Sequence, residues 1–343
     1  MRTVSLIVPI MNEEEGLEAF HARVRQVAFP PDLLVKILFV DDGSTDKTPA
    51  ILENLVACDP DTSFLRLSRN FGQQAALCAG LDAADADAVV VMDGDGQHPP
   101  ELIPRMIQLW LEGAQVVRTQ KNVNPASTSW MNRLLGTLFY RVSAILSEVE
   151  MIPSGPEFCL LSSAAVQAVR QYREAHRFLR GLVALLGFPS ATLTFTPDPR
   201  QAGQTKYSIR KLIRLASDGL FSFSTTPLYF SIGLGAAFLL VAFVELAILV
   251  ASFLLEGKSP TPGWTSLMVV TAGGFGTTMI LLGIIGIYIG KVFEQVKHRP
   301  IYLVERSSAS NTSLGNLSRN LNAHLSSFHK GDRESDSQLS LRV

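Results

Sequence analysis

The chain has 343 residues, room for two domains at about 150 residues each, but its 47% apolar and 18% charged residues and mean hydropathy of +0.22 mark part of it as lipid-preferring. A net charge of -1, from 30 basic and 31 acidic residues, excludes a strongly basic nucleic-acid binder. The cysteines, Cys58, Cys78 and Cys159, are odd in number and far apart, which makes neither a disulfide framework nor a paired-Cys zinc site and points to a reducing compartment.

The opening stretch, MRTVSLIVPIMNEEEG, has too short an apolar run and meets acids too early for a signal peptide, so this part of the chain is expected to stay in the cytoplasm. Val4–Val8, Lys36–Val40, Phe64–Leu67 and Ala88–Met92 are short, nearly continuous apolar runs separated by helical stretches. That is the pattern of strands buried on both faces of a parallel sheet, and it predicts an α/β fold. Ligands of such sheets sit beyond the carboxyl ends of the strands. Here those ends are polar: Pro9-Ile-Met-Asn-Glu-Glu-Glu15, Asp41-Asp-Gly-Ser-Thr-Asp46, Ser68-Arg-Asn-Phe-Gly-Gln-Gln74 and Asp93-Gly-Asp-Gly-Gln-His98.

Asp93 and Asp95 carry the sharpest chemical signal. Carboxylates one residue apart on a loop can both face one hard divalent cation, Mg²⁺ or Mn²⁺, and Gly94 between them lets the backbone turn tightly. An isolated Asp-x-Asp is more often only a turn, so the pair needs support from its surroundings. A calcium loop of the helix-loop-helix type lacks its downstream Glu, no third glycine completes a dinucleotide fingerprint, and no Walker-type loop occurs in the chain.

Lipid preference is concentrated further on. Ser129–Leu146 (SWMNRLLGTLFYRVSAIL) and 207–227, where Ile209, Leu212, Ile213 and Leu215 interleave with Arg210, Lys211 and Arg214, read as amphipathic helices at a membrane surface. Leu228–Leu255 contains only Glu245 as a charged residue and Trp264–Gly290 contains none; each is long enough to cross about 30 Å of hydrocarbon at about 1.5 Å per residue. The loop Glu256–Gly263 holds one cation, Lys258, whereas Lys206, Arg210, Lys211 and Arg214 precede the pair and Lys291, Lys297 and Arg299 follow it. The positive-inside bias therefore predicts a transmembrane hairpin over 228–290 with both termini cytoplasmic. Glu245 fits either an ion relay or a hydrogen bond to a neighbouring helix; a lone carboxylate with no partner charge favours the second. Gly283, Gly286 and Gly290 offer small faces for close helix packing. Residues 291–306 read as a cytoplasmic return segment, and the Ser- and Asn-rich tail 307–343 as disordered. Its sequons at Asn311 and Asn316 face the cytoplasm in this topology and should carry no glycan.

The motifs Pro9-x-x-Asn12-Glu13, Val40-Asp-Asp-Gly-Ser-Thr-Asp46, Arg69-Asn-Phe-Gly72 with Gln73, and Asp93-Gly-Asp-Gly-Gln-His-Pro-Pro-Glu101 resemble those of the GT-A glycosyltransferases of family 2. With the hairpin, the chain from residue 4 to about 305 is similar to the polyprenyl-phosphate glycosyltransferases, which include dolichyl-phosphate mannose synthases and the GtrB-type undecaprenyl-phosphate glucosyltransferases. The resemblance implies a Rossmann-like GT-A domain over 1–206 and the inverting transfer of a hexose, with glucose first among the candidates, from a UDP-sugar to a polyprenyl phosphate. It implies that Pro9, Asn12 and Glu13 line the nucleotide pocket, that Asp41 and Asp42 contact uracil and ribose, and that Gln73, Asp93 and Gln97 complete the nucleotide-sugar site. Asp93 and Asp95 would hold the metal, Asp95 as a catalytic group.

Arg200-Gln-Ala-Gly-Gln-Thr-Lys-Tyr207 is similar to the family's Arg-x-x-Gly-x-Ser-Lys-Tyr segment, so Arg200 and Lys206 are expected to neutralise phosphate where donor and lipid acceptor meet. Arg177 and Arg180, in a segment resembling a family helix start, would serve the lipid phosphate. The chain departs from the family at Pro156-Glu-Phe-Cys159, where Gly-Asp-Phe-Arg is usual: Glu157 keeps a carboxylate on a longer stem and the Arg is absent. A phosphate monoester, with a second pKa of about 6, is largely dianionic at neutral pH, so Glu157 is expected to position acceptor or metal as much as to remove a proton. The partners expected are the nucleotide sugar, the polyprenyl phosphate, the bilayer of the inner or plasma membrane and copies of the chain itself, as a homotetramer. A processive polysaccharide synthase would need more spans and a Gln-x-x-Arg-Trp motif, which Trp110, Trp130 and Trp264 do not supply. A membrane anchor without activity would have no use for the polar strand ends.

Overall fold

A computed structural model describes residues 1–122, 158–172, 179–196 and 264–308 except 298, together with scattered helical positions between 233 and 255. Glu157, Arg177, Arg200, Lys206, Glu245, the segments 129–146 and 207–227 and the tail from 309 lie outside the described residues. Two compact units divide the chain: 1–122, 158–172, 179–196 and 300–308 fall in the first, and 264–297 and 299 with the positions between 233 and 255 fall in the second.

The first unit is a sheet with helices on both faces. In chain order its elements are β1 (Arg2–Ile10), α1 (Leu17–Gln26), β2 (Leu33–Asp41), α2 (Thr48–Cys58), β3 (Thr62–Leu67), α3 (Gln73–Ala83), β4 (Ala88–Val91), α4 (Ile103–Leu111), β5 (Val116–Lys121), β6 (Cys159–Ser162), α5 (Ser163–Gln171), α6 (Leu179–Leu185) and β7 (Ser190–Phe195). After α7 of the second unit (Trp264–Val296), the chain returns as β8 (Val304–Ser307). The strand order is β7-β5-β6-β4-β1-β2-β3-β8. β3, β2, β1 and β4 run parallel, which places the carboxyl ends of the four strands expected from sequence on one edge. Beyond them the sheet is mixed: β6 is antiparallel to both β4 and β5, β7 is parallel to β5, and β8 is antiparallel to β3.

Burial on both faces explains why these strands are apolar throughout rather than alternating. One face packs α3, α5 and α6 through Leu77, Leu81, Val166, Val169, Leu179 and Val183. The other packs α1, α2 and α4 through Leu17, Phe20, Leu52, Ile103 and Met106.

β8 has no counterpart in the sequence reading, which treats 291–306 as a plain return segment. Val304-Glu-Arg-Ser is too short to carry a periodic signal; its strand form comes from pairing with β3. Tyr302 anchors its approach by donating to Asp82 Oδ2 at 2.9 Å in a buried contact, and Arg306 pairs with Glu53 on α2.

In the second unit, Gly273–Val296 of α7 is long and apolar enough to cross a membrane, with mean hydropathy 1.7 and only 6% of its most apolar window buried. Leu267, Phe275, Ile280, Ile289 and Phe293 stand exposed along it, and Thr277 and Thr278 return their hydroxyl protons to the carbonyls of Gly273 and Gly274. Both features suit an apolar solvent, in which a polar group must be satisfied within the chain. Phe238 covers Gly273, its ring 2.7 Å from where a Cβ would sit, and Leu281 approaches Gly235. Gly283, Gly286 and Gly290, expected to pack helices together, face open space among the described residues.

Candidate active site

The loops at the carboxyl edge of the parallel strands are stitched to one another. Asn12, beyond β1, adopts φ +54°, a conformation that Asn tolerates better than most side chains. There its N–H donates to Ser44 Oγ at 2.9 Å while its Oδ1 accepts the Thr45 amide at 2.9 Å. Glu13 donates its amide to Thr48 Oγ1 at 3.0 Å. Pro9 is buried at the end of β1, whereas Asn12 is exposed and Glu13 half-buried. The first and second sequence motifs thus form one surface.

Asp41 and Asp42 follow at the end of β2, both buried. Asp41 Oδ1 accepts the Ser44 amide at 2.9 Å, which turns the loop back on itself. Asp42 reaches the third motif: its Oδ1 accepts from the Phe71 amide at 2.7 Å and its Oδ2 from the Gly72 amide at 2.8 Å. Burial raises its pKa against the pull of those amides, and the neighbouring Asp41 adds to the rise. Gly43 makes the close approach possible, since with φ +72° a Cβ there would lie 2.5 Å from the backbone of Arg69.

The fourth motif lies next to the third. Gln73, exposed at the start of α3, donates to Asp93 Oδ1 at 2.6 Å. Asp95 Oδ1 accepts the Gln97 amide at 3.1 Å, closing a tight turn. Gly94 lies against β1, where a Cβ would meet Ile10 Cγ2 at 2.8 Å. Asp93, Asp95 and Gln97 are half-buried, open enough to meet a ligand yet held in place. Asp93 and Asp95 are the kind of oxygen ligands that would hold a hard divalent cation, which would offset the charge of a bound diphosphate. Among the described residues no cluster of three His, Cys, Asp or Glu side chains occurs.

His98 completes this loop, and sequence reasoning gave it no role. It is 1% exposed. Its Nδ1 accepts the Asp93 amide at 3.1 Å, its ring stacks on Phe158 with centroids 5.0 Å apart, and Phe195 meets it edge-on at 5.9 Å. Burial first, and the charge of Lys121 second, hold its pKa down to about 4, so the ring is neutral at physiological pH. Its only sequence signal is its place in the fourth motif, three residues after Asp95.

Of the residues expected to meet the lipid phosphate, Arg180 is described. It lies on α6, whose first residue, Leu179, donates its amide to Gln74 Oε1 at 3.0 Å, next to the Gln73 that holds Asp93.

Residues 5–158 match the profile of glycosyl transferase family 2. An uncharacterised glycosyltransferase of Synechocystis is 37% identical over 88% of this chain and 94% of its own length. The bactoprenol glucosyl transferase derived from a Shigella flexneri prophage is 33% identical over 90% of this chain and 99% of its own. Among solved structures, glucosyl-3-phosphoglycerate synthase of Mycobacterium tuberculosis aligns with a TM-score of 0.41 at 20% identity, over 64% of this chain and 78% of that one; a likeness of that degree adds nothing to the assignment. The matched profile and relatives identical at a third of positions over nearly their whole length place the chain in glycosyl transferase family 2, and the protein is a glycosyltransferase.

Proposed function

We propose that the protein transfers glucose from UDP-glucose to a polyprenyl phosphate, undecaprenyl phosphate in bacteria, at the cytoplasmic face of the membrane and with inversion at the anomeric carbon. The observation that carries this reading is the sheet edge itself, where Asp93 and Asp95 stand beside Gln73 and the stitched loops of Asn12, Asp41 and Asp42. The nature of the acceptor is supported by the bactoprenol glucosyl transferases, which align with the chain over nearly its full length.

In this reading Asp41 and Asp42 accept from the base and ribose, Pro9, Asn12, Glu13 and Gln97 line the nucleotide site, and Asp93 and Asp95 hold Mg²⁺ or Mn²⁺. When bound, the cation offsets the charge that gathers on the departing diphosphate. The reaction is a single displacement. A phosphate oxygen of the acceptor forms a bond to the anomeric carbon as the bond from that carbon to the donor's β-phosphate oxygen breaks, and UDP leaves with the electron pair. No proton has to be removed from a dianionic phosphate, so Glu157 serves to position the acceptor. Arg177, Arg180, Arg200 and Lys206 neutralise the phosphates that the two substrates bring together.

Chain connectivity supports the hairpin. Residues on both sides of the second unit belong to the first unit, and β8 is part of its sheet. A chain that leaves and rejoins one side of a bilayer must cross it an even number of times. With Gly273–Val296 as one crossing, a second is required, and the helical positions between Gly233 and Leu255, where Phe238 covers Gly273, are its source. Both termini are then cytoplasmic. The uncovered Gly283, Gly286 and Gly290 face other protomers in a homotetramer.

The test is to incubate the purified full-length protein with undecaprenyl phosphate and a panel of labelled nucleotide sugars. Label should enter the lipid fraction from UDP-glucose. Transfer from GDP-mannose alone would replace the donor, and transfer from none of the panel would overturn the reading.

A further inference from the structure

Asp41 is fully buried, and while its Oδ1 accepts the Ser44 amide, its Oδ2 has no hydrogen-bond partner among the described residues. A buried carboxylate oxygen in that condition is costly and calls for an explanation. The cation beside it is Arg66 on β3, whose Nε lies 3.6 Å from Oδ2 and whose Nη2 donates to the Ser44 carbonyl at 3.3 Å. The same Nε lies 3.2 Å from Glu305 Oε2 on β8. It meets hydrogen-bond geometry with neither acid. One guanidinium is therefore shared between a buried carboxylate and one that is 54% exposed, and the Arg66 side chain, 31% exposed, is the more accessible of the inner pair. At this point the β3–β8 register shifts between Arg66 and Leu67, an irregularity of the kind that re-aims a side chain.

We propose that Glu305 and Arg66 are positioning residues for nucleotide recognition: Glu305 draws the Arg66 guanidinium off Asp41 Oδ2 and so keeps that oxygen available to the imide N–H of uracil. The proposal rests on the reading that Asp41 accepts from the base. Loss of the Glu305 charge leaves Arg66 with one carboxylate instead of two. The guanidinium then closes on Asp41, fills the open acceptor, and must be displaced each time a nucleotide binds. A side chain from beyond the membrane helix thus sets the state of the base pocket at the far end of the sequence.

The experiment is a double-mutant cycle on the full-length protein, titrating UDP with Mg²⁺ by calorimetry and checking folding by circular dichroism. Since a hydrogen bond to a charged group is at stake, Glu305→Gln should weaken UDP binding about tenfold and raise the KM for the nucleotide sugar with kcat unchanged. Glu305→Gln combined with Arg66→Gln should bind UDP as tightly as Arg66→Gln alone, because no guanidinium remains to close on Asp41. If Asp41→Asn weakens UDP binding while Glu305→Gln leaves it intact, the proposal fails and the base reading stands. Arg66→Gln alone should bind UDP about as tightly as the unaltered protein, and if the double variant is nevertheless as impaired as Glu305→Gln, Glu305 only braces an edge strand and the proposal fails. If a folded Asp41→Asn binds UDP normally, the base reading itself falls.

Discussion

His98 Nδ1 accepts the Asp93 backbone N–H at 3.1 Å, so a neutral, buried imidazole fixes the backbone of the residue that begins the acidic pair. The same ring rests on Phe158, which carries the constraint from the loop after β4 to the residue that leads into β6. His98→Leu leaves that N–H without its acceptor and removes the ring stack. It should cost about 2 kcal/mol of stability and lower kcat for sugar transfer even at temperatures where the variant is fully folded, as a melting curve and a transfer assay on the same sample will show.

Asp93→Ala and Asp95→Ala should each reduce transfer of labelled sugar by at least about a hundredfold, with the far-UV circular dichroism spectrum unchanged. Both carboxylates are half-buried on a loop rather than in the core, so the fold does not depend on them. Full activity of Asp95→Ala with divalent ions chelated would remove the metal assignment.

Gly43 and Gly72 both have positive φ, yet their surroundings differ. A Cβ at Gly43 would strike the Arg69 backbone at 2.5 Å, whereas at Gly72 it would meet nothing within 4 Å. Gly72→Ala should cost only backbone strain, about 2 kcal/mol, because its φ of +99° and ψ of 153° suit almost no residue but glycine. Gly43→Ala must also push apart the second and third motifs and should cost about 3 kcal/mol or more. Thermal melting separates the two, and equal losses would show that φ alone decides.

Asp59 predicts an acid limit for the first unit. Burial pushes its carboxyl up, but hydrogen bonds from Thr62, Arg25 and His21 outweigh that and hold the pKa at about 2. A carboxyl depressed in the folded state contributes stability that is complete above its ordinary pKa of 3.8 and is lost as pH falls toward 2. Because the side chain is 17% exposed, the contribution is about 2 kcal/mol at most. Asp59→Asn should lower stability at pH 7 by about that amount and flatten its decline between pH 4 and 2, as urea titrations across that range will show.

What the sequence determined is what can be written in short, local runs. Apolar strands closed by Asp-Asp-Gly-Ser or Asp-Gly-Asp-Gly announce both a sheet buried on two faces and a polar ligand edge. An uncharged stretch such as Trp264–Gly290 announces a helix that water cannot solvate favourably. Periodicity and composition report these because each depends on neighbours a few residues away.

Only the tertiary structure decided which of the polar side chains bind to one another. Asp42, adjacent to Asp41 and of the same type, spends both its oxygens on the Phe71 and Gly72 amides, while Asp41 keeps one oxygen unpartnered among the described residues. His98 gained a role only when Phe158 and Phe195 closed over it, and Glu305 came beside Arg66 only when the chain, after its apolar helix, added a strand to the edge of the sheet. Hydrogen bonds and ion pairs between residues tens to hundreds of positions apart leave no period in the sequence. They exist because burial on both faces of the sheet fixes where the strand ends lie, and the loops there must satisfy their polar groups with whatever the neighbouring strand ends present.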